Sequence, residues 1–309
     1  MMKTASHPDL SIRIGKLLLK NPVIVASGTF GYGQEFDPFM ELGQLGAVIP
    51  KGISLNPMQG NPPPRIFETN GGILNSIGLQ NPGLQNFIKE KLPFLKKIKT
   101  NVIINFFGKI EQEYIELSKR LNDLPGISGL EMNISCPNVQ QGGIIFATDP
   151  RMTYRLVSKV RKVTQQPLIV KLSPNVTDIT MIARSAEEGG ADAISLVNTF
   201  KALAINIYSK KPELGNIIGG LSGPAIKPIA LRMVWEVFQT VNIPVIGMGG
   251  IIKAEDAIEF ILAGACAIQI GTANLIHPKK GIEVIAGIHQ YLLKNKIKSV
   301  KNLIGSFKT

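Results

Sequence analysis

Short apolar runs rich in β-branched residues recur along this chain. Each ends in small or polar residues and leads into a segment with helical spacing. Eight such runs occupy 23–27, 47–51, 102–106, 129–135, 168–172, 193–199, 244–249 and 267–271. Their near-continuous apolar character predicts strands buried on both faces, as in a parallel sheet. The amphipathic stretches 112–121, 153–163, 178–188, 226–240 and 254–263 predict helices between them. Strand alternating with helix eight times predicts an α/β protein, a (β/α)8 TIM barrel. Ahead of it, runs at 11–14 and 17–19 flank Gly15 and Lys16 and predict a β-hairpin, expected across the N-terminal end of the barrel. Two long intervals, 52–101 and 200–244, carry the clusters NPPPR (61–65) and GGLSGP (219–224). They read as loops inserted over the C-terminal face. No low-complexity linker divides the chain, so a single domain over 1–309 is expected.

Composition narrows the class. With 309 residues, 44% hydrophobic and 18% charged, the chain can bury a sizeable core and does not fit disorder. Its most apolar segment, 257–270, is interrupted by Glu259 and Gln269, so no membrane span is expected. The start, MMKTASHPDLSIRIGKLLLK, lacks the apolar stretch of a signal peptide, and a cytoplasmic protein is expected. The net charge is +12, but the lysines are scattered apart from Lys294, Lys296, Lys298, Lys301 and Lys308. That pattern reads as solvated surface rather than a nucleic-acid footprint. Two cysteines, Cys136 and Cys266, cannot supply an iron–sulfur cluster, and three histidines give little basis for a metal site.

In such a barrel the chemistry belongs at the C-terminal strand ends. Those ends carry Ser27, Lys51, Asn105, Asn133 with Cys136, Lys171, Asn198 with Thr199, Gly249 with Gly250, and Gly271 with Thr272. A purely structural barrel has no need of two lysines and three asparagines converging there. The glycine pairs after strands seven and eight occupy the usual phosphate position, where bare backbone N–H groups approach an anion closely. No G-x-G-x-x-G fingerprint or Walker motif occurs, which points to a mononucleotide rather than NAD or ATP. Cys136, in NISCPN (133–138), is a candidate base, a nucleophile or a buried small residue. Cys266, inside Ala-Gly-Ala-Cys-Ala-Ile, reads as core packing.

The motifs ASGTFG (26–31), NSIGLQNPG (75–83), NISCPN (133–138), KLSPNVTDI (171–179), GGLSGPAIKP (219–228), IGMGGI (246–251) and IGTAN (270–274) span nearly the whole chain. In that order they resemble the class 1 dihydroorotate dehydrogenases, flavoproteins of pyrimidine biosynthesis, and most closely the NAD-linked subclass. The resemblance implies FMN held by Ser27, Lys51, Gly52, Asn105, Asn133, Lys171, Val197, Gly223, Gly249, Gly250, Gly271 and Thr272. It implies dihydroorotate, or its product orotate, bound by Lys51, Asn75, Ser76, Ile77, Gly78, Leu79, Asn133, Asn198 and Thr199. Cys136 is then the base for the C5 proton while hydride leaves C6, and the loop 137–150, hinged at Gly142 and Gly143, closes over the ring. It further implies a homodimer core and an electron-transfer subunit carrying FAD and an iron–sulfur cluster, two copies of each subunit forming a heterotetramer. Neither nucleic acid nor membrane is an expected partner. The fumarate-linked subclass and the tRNA dihydrouridine synthases are alternatives, as is a catalytically silent phosphate-binding barrel. Only 37 residues follow Thr272, too few for the helical domain of a dihydrouridine synthase.

Overall fold

The apolar runs meet side by side. In the computed structural model, which describes residues 7–135 and 143–308, eight strands close a parallel barrel in chain order. Numbered one to eight around the barrel, they are Val23–Val25, Ala47–Val48, Asn101–Phe106, Gly129–Asn133, Leu168–Lys171, Ala193–Leu196, Val245–Met248 and Ala265–Ile270. Apart from Asn101 at the start of strand three, every residue in them is buried. Helices cover the outside and facing side chains fill the inside, which is why the runs lack the alternation of a one-sided sheet.

The outer helices include Glu111–Asn122, Pro150–Arg161, Ile179–Glu188, Lys227–Phe238, Ala254–Leu262 and Lys280–Lys294. Their starts follow local chemistry. Asp149 accepts hydrogen bonds from the N–H groups of Arg151 and Met152, and Pro150 takes the first helical position. The cap therefore begins that helix three residues before the amphipathic spacing does. Asp178 caps the next helix through the N–H of Thr180.

The expected hairpin is present, Ile12–Ile14 pairing with Leu17–Leu19 around the Gly15–Lys16 turn. It crosses the N-terminal end of the barrel. The carbonyl of Leu18 accepts a 2.8 Å hydrogen bond from Asn101, at the entry to strand three. Gly15 lies against Asp192, at the entry to strand six.

The two long intervals are more than loops, which corrects the expectation for both. They pair with each other in a four-stranded antiparallel sheet, ordered Phe200–Ala202, Gly219–Ser222, Gly72–Asn75, Ile66–Thr69. The first interval also contains the helical stretch from Gly83 to Leu95. Local sequence hides the central pairing because its two strands are short, only partly buried and about 145 residues apart. The chains there approach so closely that a Cβ on Gly72 would lie 1.9 Å from the Ser222 carbonyl oxygen. Gly72→Ala should therefore destabilise the fold by about 1–3 kcal/mol, because backbone cannot yield as a side chain does. Thermal unfolding and faster amide exchange between residues 67 and 74 would show it; unchanged exchange would contradict this account of the sheet.

Candidate active site

Side chains alternate along a strand, so strand four turns Glu131 and Asn133 inward. Glu131 is completely buried, in the middle of the barrel. Its Oε1 accepts a 2.7 Å hydrogen bond from Asn105 Nδ2. Its Oε2 accepts from Ser195 Oγ at 3.0 Å and from Gln269 Nε2 at 2.5 Å. The Lys171 ammonium stands 4.0 Å from Oε1, an ion pair rather than a hydrogen bond. A buried carboxylate needs this many partners, since an unpaired charge in the interior costs several kcal/mol.

Above this floor the C-terminal strand ends open into a cavity of about 550 Å³. Its wall contains Ser27, Lys51, Gly52, Asn105, Asn133, Lys171, Val197, Gly223, Gly249, Gly250, Gly271 and Thr272. It also contains Asn75, Ser76, Ile77, Gly78, Leu79, Asn198 and Thr199. Every cofactor and substrate residue expected from sequence thus borders one cavity. Cys136 and residues 137–142, including the expected hinge Gly142, lie outside the described residues, and the rest of the expected loop is helical from Gly143 to Thr148. The second cysteine is a core residue: burial pushes the Cys266 thiol up to about 12. Among the described residues, no group of three His, Cys, Asp or Glu side chains is placed to hold a metal ion.

One end of the cavity suits an anion bound by backbone. Gly249 and Gly250 have φ of +129° and +73°, and Cβ atoms there would fall within 3 Å of Ala230, Lys227 and the Gly223 carbonyl. Only glycine makes this turn without strain. The hydroxyls of Thr272 and Ser222 meet at 2.8 Å beside it. Behind the turn, Asp256 takes the N–H groups of Ile252 and Lys253 and pairs with Lys227 at 2.7 Å. That pairing holds the Asp256 carboxyl below its usual value despite burial pulling the other way.

The middle and far end offer amides. Asn133 Oδ1 accepts from the Ser135 N–H at 3.1 Å and from Asn198 Nδ2 at 3.3 Å. Asn175 ties the next turn down, donating to the Thr199 carbonyl at 3.0 Å and accepting from the Lys201 N–H at 2.9 Å. Asn61 donates to Ser76 Oγ at 2.7 Å, and Arg65 holds Asn61, Gln59 and Gln80, so the 75–79 turn is fastened from outside. Burial, then the Arg65 guanidinium, lowers the Lys51 ammonium below its usual 10.5. Two cations in a lined cavity, with amides beside them, can bind a small planar acid.

The residues that sequence reasoning missed are Glu131, Gln269, Ser195 and Asn175. A signal existed for the first two. A Glu or Gln inside a strand buried on both faces must have a partner there, so its presence marks an internal polar site. Asn175 carries no such signal, because its role depends on a turn 24 residues away.

Comparison with known proteins covers nearly all of this architecture. The family described as dihydroorotate dehydrogenase matches residues 9–295. A protein of Geotalea daltonii named dihydroorotate dehydrogenase B (NAD(+)), catalytic subunit, is 56% identical over 303 residues, covering 98% of this chain and 99% of that protein. Proteins of the same name are similar at 55% identity in Thermodesulfovibrio yellowstonii, covering 97% of this chain and 99% of that one. In Geobacter sulfurreducens the identity is 54%, with 97% and 98% covered.

A lysine that folding makes less basic holds its proton more weakly in the folded chain than in the unfolded one. Charged Lys51 therefore costs stability below its lowered value, and the cost disappears as pH rises towards 10.5. Lys51→Met should melt above the parent protein at pH 7 in the absence of ligand, with the gap narrowing towards pH 10. A gap that is constant with pH, or of opposite sign, would contradict this electrostatic reading.

Proposed function

The chain belongs to the dihydroorotate dehydrogenase family, and on that premise we propose that it is the FMN-dependent catalytic subunit of an NAD-linked enzyme. Its reaction is the oxidation of (S)-dihydroorotate to orotate in pyrimidine biosynthesis, in the cytoplasm. The observation that carries this reading is the convergence on one cavity of a backbone anion cradle, a buried cation and a set of amides. Among the described residues, no helix is long and apolar enough to cross a membrane.

The residues present fit FMN. The turn at Gly249 and Gly250, with Gly223, Gly271 and Thr272, offers N–H groups to a phosphate. Gln269 Oε1 is buried beside the cavity without a hydrogen-bond partner, and a ring N–H is the kind of donor it lacks. Ser27, the Lys51–Gly52 backbone, Asn105, Asn133, Lys171 and Val197 complete the proposed holder. Bound FMN supplies a two-electron ring system that accepts hydride.

Lys51 pairs with the substrate carboxylate, while Asn75, Asn133 and Asn198, with Ser76, Ile77, Gly78, Leu79 and Thr199, meet the imide edges. Ligand carboxylate also favours the charged form of Lys51, offsetting the cost of its burial. Cys136 takes the proton from C5. A thiol with an ordinary value of about 8.5 is a competent base near neutrality, and a hydroxyl is not. The chain lacks a dinucleotide fingerprint and has two cysteines, so a partner carrying FAD and an iron–sulfur cluster passes electrons to NAD. Two copies of each subunit, around a homodimer of this chain, form the proposed assembly.

The purified chain should be yellow, and anaerobic dihydroorotate should bleach it. It should reduce artificial dyes with dihydroorotate but reduce NAD only with its partner; rapid turnover with fumarate would place it in the other subclass. Cys136→Ala should keep FMN yet slow bleaching about a hundred- to ten-thousand-fold, and Cys136→Ser should recover activity only at high pH. Near-parental bleaching by Cys136→Ala would remove the base assignment, while Cys266→Ala should leave the rate unchanged. Lys51→Ala should weaken orotate binding by about 2–5 kcal/mol, measured by spectral titration.

A further inference from the structure

Glu131 is the charged group at the centre of the barrel, and the chemistry proposed above does not use it. Its partners come from four strands: Asn105 from strand three, Lys171 from strand five, Ser195 from strand six and Gln269 from strand eight. Asn105, Lys171 and Gln269 also border the cavity, so Glu131 touches the cavity contents only through them. All four partners are donors, an arrangement that suits a carboxylate accepting on both oxygens. Among the described residues, Glu131 is the acid within ion-pair distance of Lys171.

We infer that Glu131 is a positioning residue that sets the electrostatic potential at the cavity floor, pairing with Lys171 so that a bound flavin meets a neutral ion pair instead of a bare ammonium. This rests on the FMN reading of the site. Reduction adds electron density to the flavin, so a net positive charge nearby raises its potential and a compensated one holds it lower. The effect is strong here because the pair is buried and weakly screened. A flavin kept from becoming too oxidising can pass its electrons on, which a dehydrogenase linked to a distant acceptor requires. The same carboxylate also fixes Asn105 and Gln269, so charge and amide orientation at the floor are set together.

Glu131→Gln removes the charge with little change of shape. The Ser195 hydroxyl can turn to accept from the new amide, which leaves Gln269 Oε1 to the flavin ring N–H proposed above. The flavin-bound parent and variants are compared by anaerobic dye-equilibrated reduction, without substrate, after flavin content is measured by absorbance. Glu131→Gln should raise the potential by at least a tenfold change in the flavin equilibrium, about 30 mV for a two-electron couple. Glu131→Asp, which keeps the charge, should stay near the parent. Ser195→Ala strips one donor from the carboxylate and leaves its charge less compensated, so it should lower the potential, and it decides the matter if Glu131→Gln does not fold. An unchanged or lowered potential in Glu131→Gln overturns the inference. So does an equal shift in Glu131→Asp, or no fall in Ser195→Ala. A parent protein that takes up no FMN overturns the FMN reading itself.

Discussion

A carboxylate enclosed by a barrel cannot turn to water, so every other polar group near it must be placed with respect to it. Glu131 imposes that condition here. Its oxygens are shared among Asn105, Ser195 and Gln269, with Lys171 supplying the balancing charge. Two of these partners sit on the neighbouring strands three and five and two on strands six and eight, which do not touch strand four, so the strands must keep their register for the network to close. Asn105 stands opposite Glu131 across one strand pair, and Lys171 stands opposite Ser195 across another. A slip of one residue in either pair would turn a polar side chain away from the centre. Barrel register and cavity floor are therefore one constraint.

The rest of the site is built outward from that rigid floor. The strand ends provide short polar turns, and two excursions supply the walls. The sheet pairing Gly72–Asn75 with Gly219–Ser222 joins segments that follow strands two and six, which roofs one side of the cavity without adding a new core. Asn175, Asn61 and Arg65 then fasten the turns that carry cavity-lining side chains. The barrel strands and their ends hold the buried charge and the amides of Asn105, Asn133 and Asn198, and the first excursion adds Asn75. Precise sites are easier to maintain on rigid strands than on loops.

Charge is arranged in two ways. Lys171 is compensated at the floor, whereas Lys51, depressed by burial and by Arg65, has no ion-pair partner among the described residues. A half-buried cation without a partner raises the energy of an empty site and lowers that of an anion-filled one. At the opposite end the glycine turn offers backbone N–H groups and the Thr272 and Ser222 hydroxyls, while Lys227 is already committed to Asp256 and Glu259.

Much of this was legible in the residues. Eight apolar runs determined eight strands, because a parallel strand covered on both faces has no polar side to show. The strand-end residues determined the cavity wall, because a barrel gathers its C-terminal ends at one mouth. Asp178 marked one helix start, whereas the Asp149 cap began its helix three residues before the spacing that predicts 153–163. The pairing of the two long intervals was not legible, since Gly72–Asn75 and Gly219–Ser222 are short and about 145 residues apart, whereas Ile66–Thr69 and Gly72–Asn75 form a local hairpin around Asn70 and Gly71. The role of Glu131 was hidden for the same reason: as one acid in an apolar run it signals only that some partner exists. Which partners they are, and that Lys171 is among them, was decided by closure of the barrel, which brings strands three, four, five, six and eight around one point.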